Sequence, residues 1–307
     1  MTMWKKLLLI SILAAACSSP EVPVQKAELA FNKDRAWSDL EAVVAFGPRP
    51  SGSAANAQLR DFLAAELTAA GLVPQREPFT DSTPVGPIDF ENVFADLAPT
   101  VPDAPWILLT THFDTKVLPG HFVGANDGGS GTAILLELAR ALAAEGPREI
   151  GLRFLFLDGE EAVNLDWEGD DNTYGSRYHA QKLRANQDAG RFGACVLLDM
   201  LGDKDLAILH ETYSRRELME LFEQEAVRLG LGDYMATRRW LPVKDDHLSF
   251  AAVGIPSVDL IDFEYGPNNA YWHNDKDTLE HCSADSLKVA GDLVLGALPA
   301  LEAWVRR

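Results

Sequence analysis

"LRFLFLDGEEA", residues 152–162, is an apolar run that ends in two adjacent glutamates, Glu160 and Glu161. Its hydrophobicity is nearly continuous, which predicts a strand covered on both faces of a sheet, so its end opens into the interior of an α/β layer structure and not into bulk water. Neighbouring residues on an extended strand point to opposite sides. A turn at Gly159 would instead send both carboxylates toward one cleft. Two such carboxylates repel unless a divalent cation stands beside them, and then one can bind metal while the other carries protons.

Working outward, three more apolar runs bounded by turn signals read as buried strands: "WILLTTHFD" (106–114), "ACVLLDM" (194–200) and "IPSVDLID" (255–262), with an extended segment at "FENVFADL" (90–97) before them. Helical spacing appears between them in "GTAILLELARALAAE" (131–145) and "SRRELMELFEQEAVRLG" (214–230). Ahead of them "SDLEAVVAF" (38–46) and "NAQLRDFLAAELTAAGL" (56–72) form a helical pair, the second stopped by Gly71. A last helix spans roughly 284–304, with a kink expected at Pro299. The predicted fold is α/β, a three-layer α/β/α sandwich, as one domain over residues 31–307.

Of 307 residues, 47% are apolar, ample for one core, and the formal net charge of −19 disfavours nucleic acid as a partner. The first 17 residues carry Lys5 and Lys6, an apolar stretch from Leu7 to Ala16, and Cys17, as in a lipoprotein export signal, with simple secretion or a retained anchor as the alternatives. Residues 18–30 read as a polar, proline-bearing tether. The expected location is therefore outside the bacterial cytoplasm, periplasmic or anchored at the outer membrane, with a lipidated Cys17 as the membrane contact. Cys195 and Cys282 remain, and spacing alone leaves their pairing open.

Function points to the strand ends, where ligands sit in open α/β sheets. There the sequence offers His112 and Asp114 in "HFD", Asp127 in "NDGGSG", Glu160 and Glu161, Asp199 in "LLDM", and His273 in "WHNDKDT". A lone His or Asp at a strand end is ordinarily a cap. Five such loops together supply the nitrogen and oxygen donors of a zinc site, and the lack of thiolates favours a catalytic site over a structural one.

This ordered set of motifs resembles the zinc-dependent aminopeptidase family, and more closely its animal-type glutaminyl-peptide cyclotransferase branch, over roughly residues 38–305. The resemblance implies a mixed, mostly parallel central sheet. It further implies that Asp127, Glu161 and His273 hold one zinc, with His112 and Asp199 completing a second site around a bridging Asp127 in the aminopeptidases. Lys116, the "DDH" triplet Asp245–His247, Trp167, Trp272 and "YGSR" at 174–177 lean toward the cyclotransferases, with Lys116, His247 and the two tryptophans around the substrate pocket. Lys244 departs from the glutamine usual there.

On the cyclotransferase reading the catalytic residues are Glu160, Asp199 and Asp245. Glu160 moves a proton from the α-amine of an N-terminal glutamine to the departing ammonia, leaving pyroglutamate, while Asp199 and Asp245 hold the leaving group. On the aminopeptidase alternative, Glu160 activates a water for hydrolysis of the N-terminal residue. The expected partners are peptide or protein N-termini, and the expected form is a monomer. An exported solute-binding protein would need neither the unligated glutamate nor the single-lobed chain. His121, His179, His210 and His281 are expected to be solvated, and His247 to orient Asp245 or Asp246.

Overall fold

The computed structural model describes residues 30–307 apart from 165 and 168. The export signal and almost all of the tether lie outside the described residues. Two capped helices open the fold, α1 (Lys33–Ala45) and α2 (Ala54–Ala69); the Asn32 side chain accepts from Arg35 N and the Ser53 side chain from Asn56 N. A hairpin follows, β1 (Pro74–Thr83) and β2 (Gly86–Leu97), then β3 (Trp106–His112), α3 (Gly131–Glu145), β4 (Gly151–Leu157), α4 (Tyr174–Ala185) and β5 (Phe192–Asp199). The chain continues through β6 (Ile208–Glu211), α5 (Arg216–Leu229), β7 (Met235–Leu241), the short α6 (His247–Ala251), β8 (Ser257–Ile261) and α7 (Ala284–Val305). The last helix runs unbroken through Pro299.

The main sheet has the order β1-β2-β4-β3-β5-β8. Its β4-β3-β5-β8 portion is parallel, and the hairpin adds an antiparallel edge, so the sheet is mixed and mostly parallel as expected. Every residue of β3 and β8 is buried. The side chains of β3 alternate between two cores. Ile107 and Leu109 face a large core shared with α1, α2, α3, α5 and α7, whereas Trp106 and Leu108 face a smaller one with Ala180 and Leu183 of α4 and Phe250 of α6. These are the three layers.

Strand β3 leads on to β4, while its neighbour β5 leads by way of β6 and β7 to β8 on the opposite side. Adjacent strands whose continuations diverge leave a crevice beyond their carboxyl ends. His112 closes β3 and Asp199 closes β5, so the topology alone sets these two residues at the crevice.

Candidate active site

The turn after β4 behaves as the sequence implied. Gly159 has φ +78, and a Cβ there would fall 2.6 Å from the Phe90 ring, so only glycine makes this bend. Asp114 then fixes the two glutamates beyond the bend: its carboxylate accepts from Glu160 N at 3.1 Å and Glu161 N at 3.3 Å. Both glutamates end up buried and line the same cleft.

Asp127 sits in an irregular turn that breaks helical geometry just before α3, next to Gly128 at φ +74, where a Cβ would meet Asp114 O at 2.8 Å. Asp277 holds that turn, accepting from Asn126 N at 2.7 Å and Asp127 N at 3.1 Å. The Asp127 carboxylate is left straddling two imidazoles. Its Oδ1 lies 3.3 Å from His112 Nε2 and its Oδ2 3.3 Å from His273 Nε2. His112 Nε2 is also 3.2 Å from Asp199 Oδ1, and His273 Nε2 is 3.1 Å from Glu161 Oε1.

Two donor sets result, His112–Asp127–Asp199 and Asp127–Glu161–His273, each offering atoms within 4.8 Å of one another. The family resemblance implied the same two groupings. Electrostatics favours a cation among them. Burial pushes the Glu161 and Asp199 carboxyls above their usual range, with Asp127 adding repulsion to both. Burial opposes charge on His273 as well, yet Asp127 and Glu161 outweigh it and raise this imidazole to about 9. For His112 the same contest, against Glu160, Asp114, Asp127 and Asp199, ends well above the ordinary value. Protons drawn onto imidazoles in this way mark where a divalent ion fits. Glu161 Oε2 and His112 Nδ1, both buried, have no hydrogen-bond partner. Cys195 and Cys282 are unpaired and buried in the two hydrophobic cores, so the donors are nitrogen and oxygen only, a set that suits catalytic zinc.

Glu160 stands apart from the donor sets, its Oε2 3.7 Å from His112 Nδ1. Burial, then Glu161, Asp245 and Asp246, push its carboxyl well above the usual range even against the nearby His112. Asp245 is raised likewise by burial and by Asp199 and Asp246. All three proposed catalytic acids, Glu160, Asp199 and Asp245, line one cleft of about 420 Å³. Its walls include Trp167, Trp272 and Phe263, the last of which sequence reading missed. Trp272 stacks on His273 at 3.9 Å and meets Phe263 edge-on at 5.1 Å.

Two pocket assignments are corrected. Lys116 does not line the cleft: it is buried behind Glu161, with Nζ 3.6 Å from Glu161 Oε2 and donating to Ala162 O. His247 starts α6, which turns its ring inward and away from Asp245. Its Nε2 is 3.4 Å from Glu211 Oε2 and its Nδ1 3.9 Å from Asp259 Oδ2. His179 and His210 are not solvated either; they are buried and lie 2.8 Å from Glu77 and 2.7 Å from Glu223.

Three supporting residues went unassigned in the sequence. Asp114 and Asp277 sit inside the quoted motifs, and their spacing of two and four residues from His112 and His273 was the available signal. Arg49 had none. Fully buried, it donates from Nε to Phe113 O at 2.7 Å and from its Nη atoms to Val123 O and Gly124 O, tying down the segment between His112 and Asp127.

A three-layer α/β/α frame with these two donor sets at its switch point defines a metal-dependent α/β enzyme. Comparison with known proteins narrows the class. Residues 92–298 match the model of Peptidase family M28. A glutaminyl-peptide cyclotransferase-like protein of Mus musculus is 36% identical over 263 residues, covering 75% of this chain and 66% of that protein. The crystal structure of an Acidobacteriales bacterium glutaminyl cyclase matches with a TM-score of 0.84 at 33% identity, over 95% of this chain and 99% of that one. A Zn-dependent exopeptidase from Parabacteroides distasonis matches with a TM-score of 0.77 at 28% identity, over 91% and 99%. The chain belongs to peptidase family M28, in its glutaminyl-peptide cyclotransferase branch.

Proposed function

We propose that this protein is a zinc-dependent glutaminyl-peptide cyclotransferase, converting the N-terminal glutamine of peptides to pyroglutamate with release of ammonia. The observation that carries the reading is the buried Glu160, outside both donor sets, lining together with Asp199 and Asp245 one cleft whose walls include Trp167 and Trp272. Asp127, Glu161 and His273 would hold one zinc, whose chemistry is Lewis-acid polarisation of a carbonyl oxygen. Glu160 accepts the proton that the α-amine loses as its nitrogen bonds to the side-chain carboxamide carbon, Cδ, and returns it to the amide nitrogen as the old Cδ–N bond breaks. Asp199 and Asp245 accept hydrogen bonds from the departing ammonia. The aromatic walls hold the folded-back glutamine side chain and exclude water, so that nucleophile and electrophile, both from one residue, stay in reacting geometry.

A second reading, aminopeptidase, draws on the complete His112–Asp127–Asp199 set, which could take a second ion. Offering the purified protein a glutamine-initiated and a leucine-initiated dipeptide separates the two. Ammonia release without hydrolysis of the peptide bond supports the cyclotransferase. Hydrolysis of the leucine peptide would overturn it.

We propose further that the protein acts as an exported monomer, tethered through Cys17; Lys5, Lys6 and the apolar stretch to Ala16 support export. Loss of membrane association in a Cys17→Ser chain, read by cell fractionation, tests the anchor.

A further inference from the structure

Beside the cleft lies a second groove of about 250 Å³, and the two share Trp167, Lys244 and Asp245. The shared ridge makes them one continuous depression. Asp245 is buried in it, whereas Lys244 is exposed, and among the described residues no carboxylate pairs with the Lys244 ammonium. In a chain of net charge −19, Lys244 is the one lysine or arginine among the described residues lining either depression. Beyond it the groove is lined mainly by polar side chains, Asn172, Thr173 and Ser249, with Tyr213 and Leu248 as its apolar part. Tyr213, 51% exposed, also borders a third depression that includes Arg215, so the track continues past the groove.

A peptide whose first residue fills the cleft has to leave through its mouth, and the groove across the Lys244 ridge is a contiguous surface able to receive what comes next. We infer that this groove binds the second residue of the substrate peptide, and that Lys244 selects an acidic side chain there. The inference rests on the cleft accepting the N-terminal residue, as proposed above. Tyr213 and Leu248 would instead reward an aromatic second residue; the exposed ammonium favours the acid, because it is the one cationic side chain among the described residues lining the groove, and no described carboxylate pairs with it.

The test compares kcat/KM for ammonia release from tetrapeptides beginning Gln-Glu, Gln-Ala, Gln-Lys and Gln-Phe, at low and high salt. An exposed ion pair predicts that Gln-Glu exceeds Gln-Ala by roughly threefold, with Gln-Lys lowest and the spread shrinking as salt rises. In Lys244→Gln the Glu-to-Ala ratio should fall to about one, while Lys244→Arg retains it. Equal rates for the acidic and neutral peptides at low salt, a preference for Gln-Phe, or an acid preference that survives in Lys244→Gln would overturn the inference while leaving cyclisation intact. No ammonia from any peptide would overturn the cyclotransferase reading and this inference with it.

Discussion

Two of the places where the molecule sets a histidine beside a buried glutamate give opposite results. Under the hairpin edge, Glu77 is saturated: His179 Nδ1 lies 2.8 Å from its Oε2, Lys182 Nζ 2.9 Å from its Oε1, and Asn92 donates to it at 3.0 Å. Burial works against that charge, but His179, Asn92 and Lys182 outweigh it and hold the carboxyl down at about 2. In the cleft, Glu161 has His273 on one oxygen and leaves the other without a hydrogen bond, and burial with Asp127 pushes its carboxyl up. The contrast shows that residue type does not distinguish a structural pair from a ligand pair. What distinguishes them is whether the protein itself completes the carboxylate's partners.

Removing the shared ligand should give the largest effect. Asp127→Ala touches both donor sets, so bound zinc, measured by mass spectrometry of the metal, and ammonia release should both fall to background, and chelation of the parent protein should lower its Tm. If the Asp127→Ala protein kept its zinc, the cleft would belong with the structural cluster. Next comes Glu160→Gln, expected to cut kcat by roughly 10²- to 10⁴-fold with zinc content retained, since this side chain lies outside both donor sets. Full activity in that variant would end its assignment as proton carrier.

The structural cluster should respond in the reverse way. Glu77→Gln strands Lys182 and His179 and should cost about 3 kcal/mol in urea unfolding, leaving zinc stoichiometry untouched. Loss of zinc in this variant would mean that the two regions are coupled. The smallest effect is its pH dependence. Glu77 is held below its ordinary 4.5, so the unfolded chain takes up a proton first as pH falls. Its stabilisation is therefore complete above about 4.5 and lost on descending to about 2, and the gap between parent and variant, tracked by urea midpoints, should close over that interval. A gap that stayed constant would show that Glu77 is not charged in the fold.

The same contrast explains which features were legible in the sequence. His112, Asp127, Glu161 and Asp199 each sit at the end of an apolar run or in a glycine-marked turn, so local pattern placed them beyond the carboxyl ends of the strands, whereas His273, in a polar loop, was placed by the family resemblance. Burial of β3, β5 and β8 was implied by the same runs. His179 was misread because its partner, Glu77, is 102 residues away, and because α4, with few apolar residues, does not announce which face it buries. Strand β1, exposed along much of its length, and β7 of the small sheet lack a continuous apolar run and so left little trace. The inward turn of His247 depended on where α6 begins, which the triplet "DDH" does not reveal.

Arg49 carries a consequence for where the chain can be cut. It lies 43 residues before Asn92, where the family match starts, yet three backbone oxygens between Phe113 and Gly124 converge on its guanidinium. A chain trimmed to 92–298 would keep all five metal donors and lose the anchor beneath the loop that joins two of them. The front helical pair, remote from the chemistry in sequence, is in this sense the foundation of the reaction chamber.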